Sequence, residues 1–557
     1  MRYFQSLTRR WGDWQPEVRI ELLALIASLT FMLFANRLFW EALLAGRSPL
    51  LPATWGYAAA LATLLTGIHF LLLCLLLNRW TAKPLLALLI VATAFAVHFM
   101  EQFGLYLDPG MLRNVLRTDM PEARELLSWS LLPHLLLYAA LPLWLLAKVR
   151  IRRVSLPRAL LGRALALVLG LAVSGGALLL VFQDFSATMR NNKELRYLIT
   201  PGNYVYSLLR IAGSEAQAAE RVRTPVGMDA ALADSWRNRK KPLLLVIVVG
   251  ETARAANWGL SGYTRQTTPQ LAGLDAINFS DVTSCGTNTE VSVPCMFSPV
   301  GRRDYDEKRI RGSESLLHVL ARAGFRVVWR DNQSGCKGVC NGLEEVRPET
   351  ARVPGLCDGE RCLDEILLHG LDQTVAETQG NMAVILHQIG NHGPAYFKRY
   401  PTAFRRHTPA CESTDLAQCS REEIINAYDN ALLYTDHLLA RTVDFLKSRQ
   451  ATHDTALIYL SDHGESLGEG GLFLHGIPYA IAPAVQTKVP MVMWFSPGYA
   501  ADFSLDISCM RARAAQPATH DNLFHSVLGL LEVRTQAYEP ALDLSLGCRM
   551  DGAKGRA

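Results

Sequence analysis

Apolar and polar positions divide the chain into two regimes. Up to about residue 183 the sequence runs in long, nearly unbroken apolar stretches. After about residue 241 the apolar runs are short and alternate with polar and turn-forming stretches. Five long stretches, residues 20–44, 55–77, 85–103, 127–147 and 160–182, approach or exceed the ~20 residues that a helix needs to cross a bilayer. The first follows Arg9, Arg10 and Arg19, as a signal peptide would. It is too long for that, and no small-residue cleavage site follows. Five such helices in succession do not suit a soluble core, so the pattern predicts a membrane region of five helices. Between the third and fourth, residues 104–125 form a loop with a helical pattern over 111–116.

The second regime opens with a continuous leucine and β-branched run, 243–249, ended by Gly250. Such a run predicts a strand buried on both faces. Further strands are predicted at 325–329, 382–387, 456–461 and 489–494, with helical patterns at 314–323, 362–378, 422–449 and 521–531. This alternation predicts an α/β domain whose central sheet is mostly parallel and covered by helices on both faces. Three domains follow: a transmembrane region at 1–183, a bridge at 184–240 and a soluble domain at 241–557. In the bridge, residues 187–211 mix Arg, Lys and Tyr with apolar residues around the breaker Pro201-Gly202. Two readings fit it equally, a segment lying along the membrane interface and a solvated linker. Residues 215–241 read as a polar connector.

Charge sets the orientation. The net formal charge of +5 over 557 residues leaves no global nucleic-acid footprint. The basic residues instead gather at the ends of the apolar runs. Arg2, Arg9, Arg10 and Arg19 precede the first, Arg79 and Lys83 lie in the second loop, and Lys148, Arg150, Arg152, Arg153, Arg158 and Arg163 in the fourth. The first and third loops carry only Arg47, Arg113, Arg117 and Arg124. This bias places the N-terminus in the cytoplasm and, after five spans, the large domain outside. Cysteines agree. Of eleven, only Cys74 lies in a span; the others form close pairs, 285 with 295, 336 with 340, 357 with 362 and 411 with 419, leaving Cys509 and Cys548. In an exported domain this reads as a disulfide framework. The spacings do not match paired zinc knuckles.

In a parallel sheet, ligand groups collect past the carboxyl ends of the strands. Glu251 and Thr252 follow the first strand, His387 and Asn391-His392-Gly393 the third, and Ser461-Asp462-His463-Gly464-Glu465 the fourth. Carboxylate and imidazole together suit zinc. A single strand-end Glu or His more often serves as a cap or ion-pair partner; three such ends in one domain give a metal site equal standing. Thr289, in Ser284-Cys285-Gly286-Thr287-Asn288-Thr289-Glu290, fits either a helix N-cap or a nucleophile activated by a metal. Sequence pattern does not separate the two.

The stretches V-V-G-E-T-A-R, G-Y-T-R-Q-T-T-P, S-C-G-T-N-T-E-V-S-V-P-C-M-F-S, W-R-D-N-Q-S-G-C-K-G-V, I-G-N-H-G-P-A-Y, I-N-A-Y-D-N, S-D-H-G-E-S-L-G-E and L-H-G-I-P resemble the lipid A phosphoethanolamine transferases, including the mobile colistin-resistance enzymes. The resemblance covers nearly the whole chain. It implies five membrane spans and a periplasmic domain of the alkaline phosphatase/sulfatase superfamily. It further implies Thr289 as the nucleophile, and Glu251, Thr289, Asp462 and His463 as ligands of a tightly bound zinc (Zn2+). His392 and His475 match residues that contact the phosphoryl group or a second, weaker zinc. Lys337 and Ser334 match substrate-pocket residues. Asn114, Thr118 and Glu122 recur every four residues, so one helix would align them; in the family this pattern lines the substrate site, and Glu122 would hold the ethanolamine ammonium. Arg113 and Arg117 stand where the family pattern has neutral amides.

The implied reaction has two half-reactions in a multi-pass protein of the bacterial inner membrane, with a monomer expected. Thr289 takes phosphoethanolamine from phosphatidylethanolamine and passes it to a lipid A phosphate, which lowers lipid A charge and gives polymyxin resistance. Transfer to a core sugar or Kdo is an alternative. So is a glycerolphosphate transferase of the lipoteichoic acid synthase type, which the paired cysteines disfavour. A non-catalytic anchor would show a broken site, yet Thr289 and Asp462 are both present. A transporter would need buried charges beyond His98 and Glu101.

Overall fold

The structure is a computed structural model and describes residues 15–219, 223–359 and 361–549, with the backbone alone for Ala187 and residues 214–219. The tail cations Arg2, Arg9 and Arg10, and part of the polar stretch 215–241, lie outside the described residues. The chain forms two compact units. One runs to Leu112 and resumes at Ser128–Arg210; the other takes Arg113–Leu127 and everything from Ile211 onward.

In the first unit, the helices Pro52–Leu76, Ala82–Phe103, Leu131–Lys148 and Leu156–Ser186 are each long and apolar enough to cross a membrane. The run 20–44 is not the continuous helix its apolar pattern suggests. It breaks into Ile20–Phe34 and Arg37–Leu44, bent by 58°, and makes a fifth span if the pair is counted as one. Asn36 explains the break. Its amide donates to the Phe31 carbonyl at 2.8 Å and to the Thr200 carbonyl at 2.8 Å, while its oxygen accepts from the Thr200 N–H at 2.7 Å. A side chain that satisfies backbone groups in this way competes with helix continuation. Many leucines point outward, among them Leu72, Leu75, Leu179 and Leu180, which suits helices solvated by lipid. Gly67 lets two helices meet closely, since a Cβ there would lie 1.9 Å from Ser174 Oγ.

The second unit is built on one eight-stranded sheet. In chain order its strands are β1 (Leu243–Gly250), β2 (Ile277–Thr283), β3 (Arg326–Asp331), β4 (Glu344–Val346), β5 (Met382–His387), β6 (Asp454–Ser461), β7 (Lys488–Phe495) and β8 (Ala518–Thr519). Their order across the sheet is β8-β2-β7-β6-β1-β5-β3-β4. Only β7 runs antiparallel to its neighbours β2 and β6; the pairings of β1 with β5 and β6 are parallel. All eight residues of β1 are buried, which is why it reads as an unbroken apolar run. β2 alternates buried and more exposed positions, a weaker signal that the apolar runs passed over. The pattern at 362–378 is not one helix. It divides into a 3-10 turn, Asp364–Leu368, and a helix, Leu371–Ala376, because Gly370 takes a left-handed conformation at φ +70°.

All five cysteine pairs are disulfides: 285–295, 336–340, 357–362, 411–419 and 509–548. Cys74 is free and buried. Cys509 and Cys548 are 39 residues apart, Cys336 and Cys340 only 4. Chain entropy then makes loss of the first bridge cost about 4 kcal/mol and loss of the second about 2 kcal/mol. Guanidinium unfolding of the two double-alanine variants checks this order.

Candidate active site

Strands β1 and β6 are paired in register, with Gly250 opposite Ser461. The chain therefore leaves both strands at the same level, and Glu251 and Asp462 emerge side by side. Two glycines make room for them. A Cβ on Gly390 would lie 2.7 Å from the Glu251 carbonyl, and one on Gly464 would lie 2.1 Å from the Val485 carbonyl. Gly464 thus allows the bend after His463 by its small size, not by a left-handed backbone. Thr252 does adopt the left-handed region, at φ +54°.

Glu251, Asp462 and His463 bring one ligand atom each within 4.8 Å of the others, fully enclosed by protein. Asp462 Oδ1 accepts the N–H groups of His463 at 2.7 Å and Thr252 at 3.2 Å. That turns Oδ2 toward His463 Nε2, 3.3 Å away, and Glu251 Oε1 lies at the same distance from that nitrogen. His463 Nδ1 donates to the Gly464 carbonyl at 3.0 Å, which leaves Nε2 facing both carboxylates, protonated beside them without a metal and able to lend its lone pair to one. Glu251 Oε1 and Asp462 Oδ2 are buried without a hydrogen-bond partner. Burial and the adjacent Glu251 charge push the Asp462 carboxyl up to about 7. Burial opposes the charged form of His463, but the Asp462 and Glu251 charges raise it to about 10. Two enclosed carboxylates facing one imidazole make a site whose charge a divalent cation would balance. The oxygen and nitrogen donor set fits zinc.

Thr289 opens the helix Thr289–Met296, but the cap is its neighbour: the Asn288 side chain accepts the Val291 N–H at 3.0 Å. The Thr289 hydroxyl is thereby released from capping. It donates to Glu251 Oε2 at 3.0 Å and lies 3.4 Å from His463 Nε2. Of the two alternatives that the sequence left open, the cap falls to Asn288, and the Thr289 hydroxyl turns to Glu251 instead.

Around this centre, His475 Nδ1 lies 2.8 Å from Glu465 Oε2, with its ring 4.4 Å from that of His463 and 5.3 Å from that of His392. Lys337 sits at φ +49° in a turn flanked by Gly335 and Gly338, both at positive φ. Its ammonium reaches Ser334 Oγ and lies 3.3 Å from Glu290 Oε1. Ser334 in turn donates to Gln333 Oε1, and Gln333 Nε2 donates to Glu251 Oε2 at 3.2 Å. Gln333 and Glu465 both lie inside motifs read from the sequence, yet neither residue type signalled a role. His387 follows β5 as expected but turns to Asp331, 2.7 Å from Nδ1.

Asn114, Thr118 and Glu122 do not share one helix. The helix Pro109–Arg117 ends there, and Asp119 caps a second helix, Met120–Glu125, by accepting the Glu122 N–H at 2.8 Å. Pro121 suits the first turn of that new helix and not the interior of a continuous one. Thr118 Oγ1 donates to the Asn114 carbonyl at 2.9 Å. Glu122 Oε1 reaches His392 Nε2 at 3.1 Å. Asp119 pairs with Arg361 at 3.1 Å, and Glu125 pairs with Arg399.

Comparison with known proteins gives a consistent result. A family model described as Phosphoethanolamine transferase EptA/EptB matches residues 65–216, and one described as Sulfatase matches residues 244–533. Phosphoethanolamine transferase EptA of Escherichia coli K12 is 37% identical over 475 residues, covering 84% of this chain and 86% of the relative. Phosphatidylethanolamine transferase Mcr-1 of Escherichia coli is 38% identical over 494 residues, covering 86% and 89%. The structure of the integral membrane lipooligosaccharide phosphoethanolamine transferase A (EptA) from Neisseria meningitidis superposes with a TM-score of 0.90 at 33% identity, covering 96% of this chain and all of that one.

The Glu122–His392 pair carries a pH signature in the metal-free protein. Burial favours the neutral form of each group, yet the Glu122 charge raises His392 to about 9, and His392 with Arg361 lowers Glu122 to about 2. With ordinary values of 4.5 and 6.5 in the unfolded chain, the pair contributes fully between those pH values. The contribution is lost as pH rises through about 9, and again as it falls through about 2. The melting temperature of metal-free parent protein should exceed that of Glu122→Gln most near pH 6, and the difference should shrink as pH is raised through about 9.

Proposed function

The chain belongs to the EptA family of phosphoethanolamine transferases, and we propose that it moves phosphoethanolamine from phosphatidylethanolamine to a lipid A phosphate through a covalent intermediate on Thr289. The observation that carries this reading is the Thr289 hydroxyl, released from capping by Asn288 and aimed at Glu251 Oε2 at 3.0 Å. Such an oxygen at a helix N-terminus is placed to receive a phosphoryl group. Both substrates are membrane lipids, which suits a catalytic unit attached to several apolar helices. The loop charges support a cytoplasmic N-terminus and a periplasmic catalytic domain at the inner membrane. Against the proposed division at residues 183 and 241, Arg113–Leu127 groups with the catalytic unit, and the bridge is shared, residues up to Arg210 grouping with the apolar helices and those from Ile211 with the catalytic unit.

A zinc ion held by Glu251, Asp462, His463 and Thr289 Oγ1 would supply Lewis-acid chemistry, favouring the deprotonated hydroxyl and offsetting phosphoryl charge. In the first half-reaction Thr289 Oγ1 forms a bond to phosphorus while its proton is directed to Glu251 Oε2. The bond from phosphorus to the diacylglycerol oxygen breaks, and that oxygen takes one proton from the His392 imidazolium, which the Glu122 charge keeps protonated against burial, while His475 faces the same centre. In the second half-reaction a lipid A phosphate oxygen bonds to phosphorus, and Thr289 Oγ1 leaves and regains its proton. Lys337 places a positive charge beside the phosphoryl oxygens, and Ser334 holds its ammonium. Glu122 offers a carboxylate for the ethanolamine ammonium. The pairing of His392 with Glu122 and of His475 with Glu465 orients each ring through one nitrogen, which suits proton handling and a second, weaker zinc alike.

Mass spectrometry of lipid A from cells expressing the protein tests the reaction. A phosphoethanolamine adduct is expected with the parent protein and none with Thr289→Ala; an adduct that persists in the variant would overturn the covalent route. Metal analysis of purified protein tests the zinc site. Asp462→Asn should lose bound zinc, and Gln333→Ala should weaken zinc affinity by about 10–100-fold, since Gln333 orients Glu251.

A further inference from the structure

The short helix Met120–Glu125 and its cap carry three carboxylates at intervals of three residues: Asp119, Glu122 and Glu125. Helical neighbours three apart face each other, and like charges there repel. Six residues make too short a helix to offset that repulsion alone. Its placement depends on the cations that meet it. Arg361 meets both ends. Its Nη2 donates to Asp119 Oδ1 at 3.1 Å, the same oxygen that accepts the Glu122 N–H, and its Nε lies 3.5 Å from Glu125 Oε1. Arg399 grips Glu125 through both Nη atoms, while its Nε donates to the His392 carbonyl at 2.7 Å. The Arg399 and Glu125 side chains are 1% and 4% exposed, so neither gives up its partner to water cheaply. The first and last carboxylates are thus held, and the middle one, Glu122, faces His392 Nε2 at 3.1 Å.

The clamp stands on the same backbone as the proposed metal site. Arg361 lies in the hairpin closed by the Cys357–Cys362 disulfide. There its N–H donates to Asp358 Oδ1 at 2.8 Å and its carbonyl accepts the Asp358 N–H at 3.0 Å. Asn332, just past β3, donates to the Cys362 carbonyl at 3.0 Å and to Asp364 Oδ1 at 2.8 Å. Asp364 accepts the N–H groups of Ile389 and Gly390, both at 2.9 Å, and Gly390 is packed against Glu251. We infer that Arg361 and Arg399 are positioning residues, which fix the helix Met120–Glu125 so that Glu122 stands at His392, and which act on donor binding through Glu122. The inference rests on the reading above of Glu122 as the group that holds the ethanolamine ammonium.

Two measurements on the purified full-length protein test it. Hydrogen exchange reads the clamp without substrate. In Arg361→Gln the amides of residues 119–125 should exchange faster, and those of β1 at the parent rate. Diacylglycerol release from phosphatidylethanolamine reads the consequence. Arg361→Gln should lower kcat/KM for this donor about tenfold, as for loss of a charge-assisted contact. The same substitution made in Glu122→Gln should cost little more, because residues that act as a unit are not additive. Arg361→Lys, one point charge in place of two directed nitrogens, should recover part of the loss; it also serves as the comparison where Arg361→Gln fails to fold. Unchanged exchange at 119–125 would overturn the clamp. Losses that simply add in the double variant would show that Arg361 does not act through Glu122, and would overturn the inference too. A Glu122→Gln protein with the parent's kcat/KM would overturn the reading of Glu122 and this inference with it, a failure distinct from that of the clamp because exchange is read without donor.

Discussion

Two carboxylates, Glu251 and Asp462, are held next to each other inside the protein, and most of the catalytic unit is arranged around that juxtaposition. Like charges in a low-dielectric interior repel strongly, and each also loses its hydration. The fold nevertheless forces them together, because β1 and β6 are adjacent, parallel and in register. Their neighbours bear the consequences. Gly390 and Gly464 are small where the backbone crowds the site, Thr252 takes a left-handed turn, and backbone N–H groups occupy one Asp462 oxygen so that the other faces inward. A site assembled against such repulsion is organised for a cation.

A second layer ties the first to the charged groups around it. Hydrogen bonds and ion pairs run from Thr289 to Glu251, to Gln333, to Ser334, to Lys337 and back to Glu290, the residue next to Thr289. The circuit links the proposed nucleophile, a proposed metal ligand and the proposed phosphoryl-binding lysine. Low dielectric strengthens each bond in it, and also raises the cost of leaving any member unpartnered. Arg113–Leu127 joins this layer through charge. Arg117, Asp119, Glu122 and Glu125 each meet an opposite partner on the catalytic unit. The sheet is held by apolar burial and ladder hydrogen bonds; this segment is held by ion pairs, which respond to salt and pH in a way the sheet does not.

The legible parts of the sequence share one property: their signal lies in a contiguous stretch. The spans at 55–77 and 85–103, the buried strands β1, β5 and β6, and the long helix Arg421–Ser448 each carry their own periodicity. The close cysteine pairs and the Ser461-Asp462-His463 turn are local as well. Where reading failed, one residue overrode the run around it. Asn36 broke the first apolar stretch, Gly370 broke a helix, and Asp119 with Pro121 split the alignment of Asn114, Thr118 and Glu122.

By itself, then, the sequence determined the two regimes, the mostly parallel sheet, the close spacing of the cysteines and the residue types that gather at strand ends, because each follows from spacing along the chain; which cysteines bond was decided by the fold. Strand order was decided only in three dimensions, since it depends on which buried faces match. So was the division of labour at Asn288 and Thr289, which turns on where Glu251 stands, 38 residues away. The roles of Gln333, Glu465 and Glu290 belong there too. Each is an ordinary polar residue until the fold encloses it, and burial then fixes what it must touch.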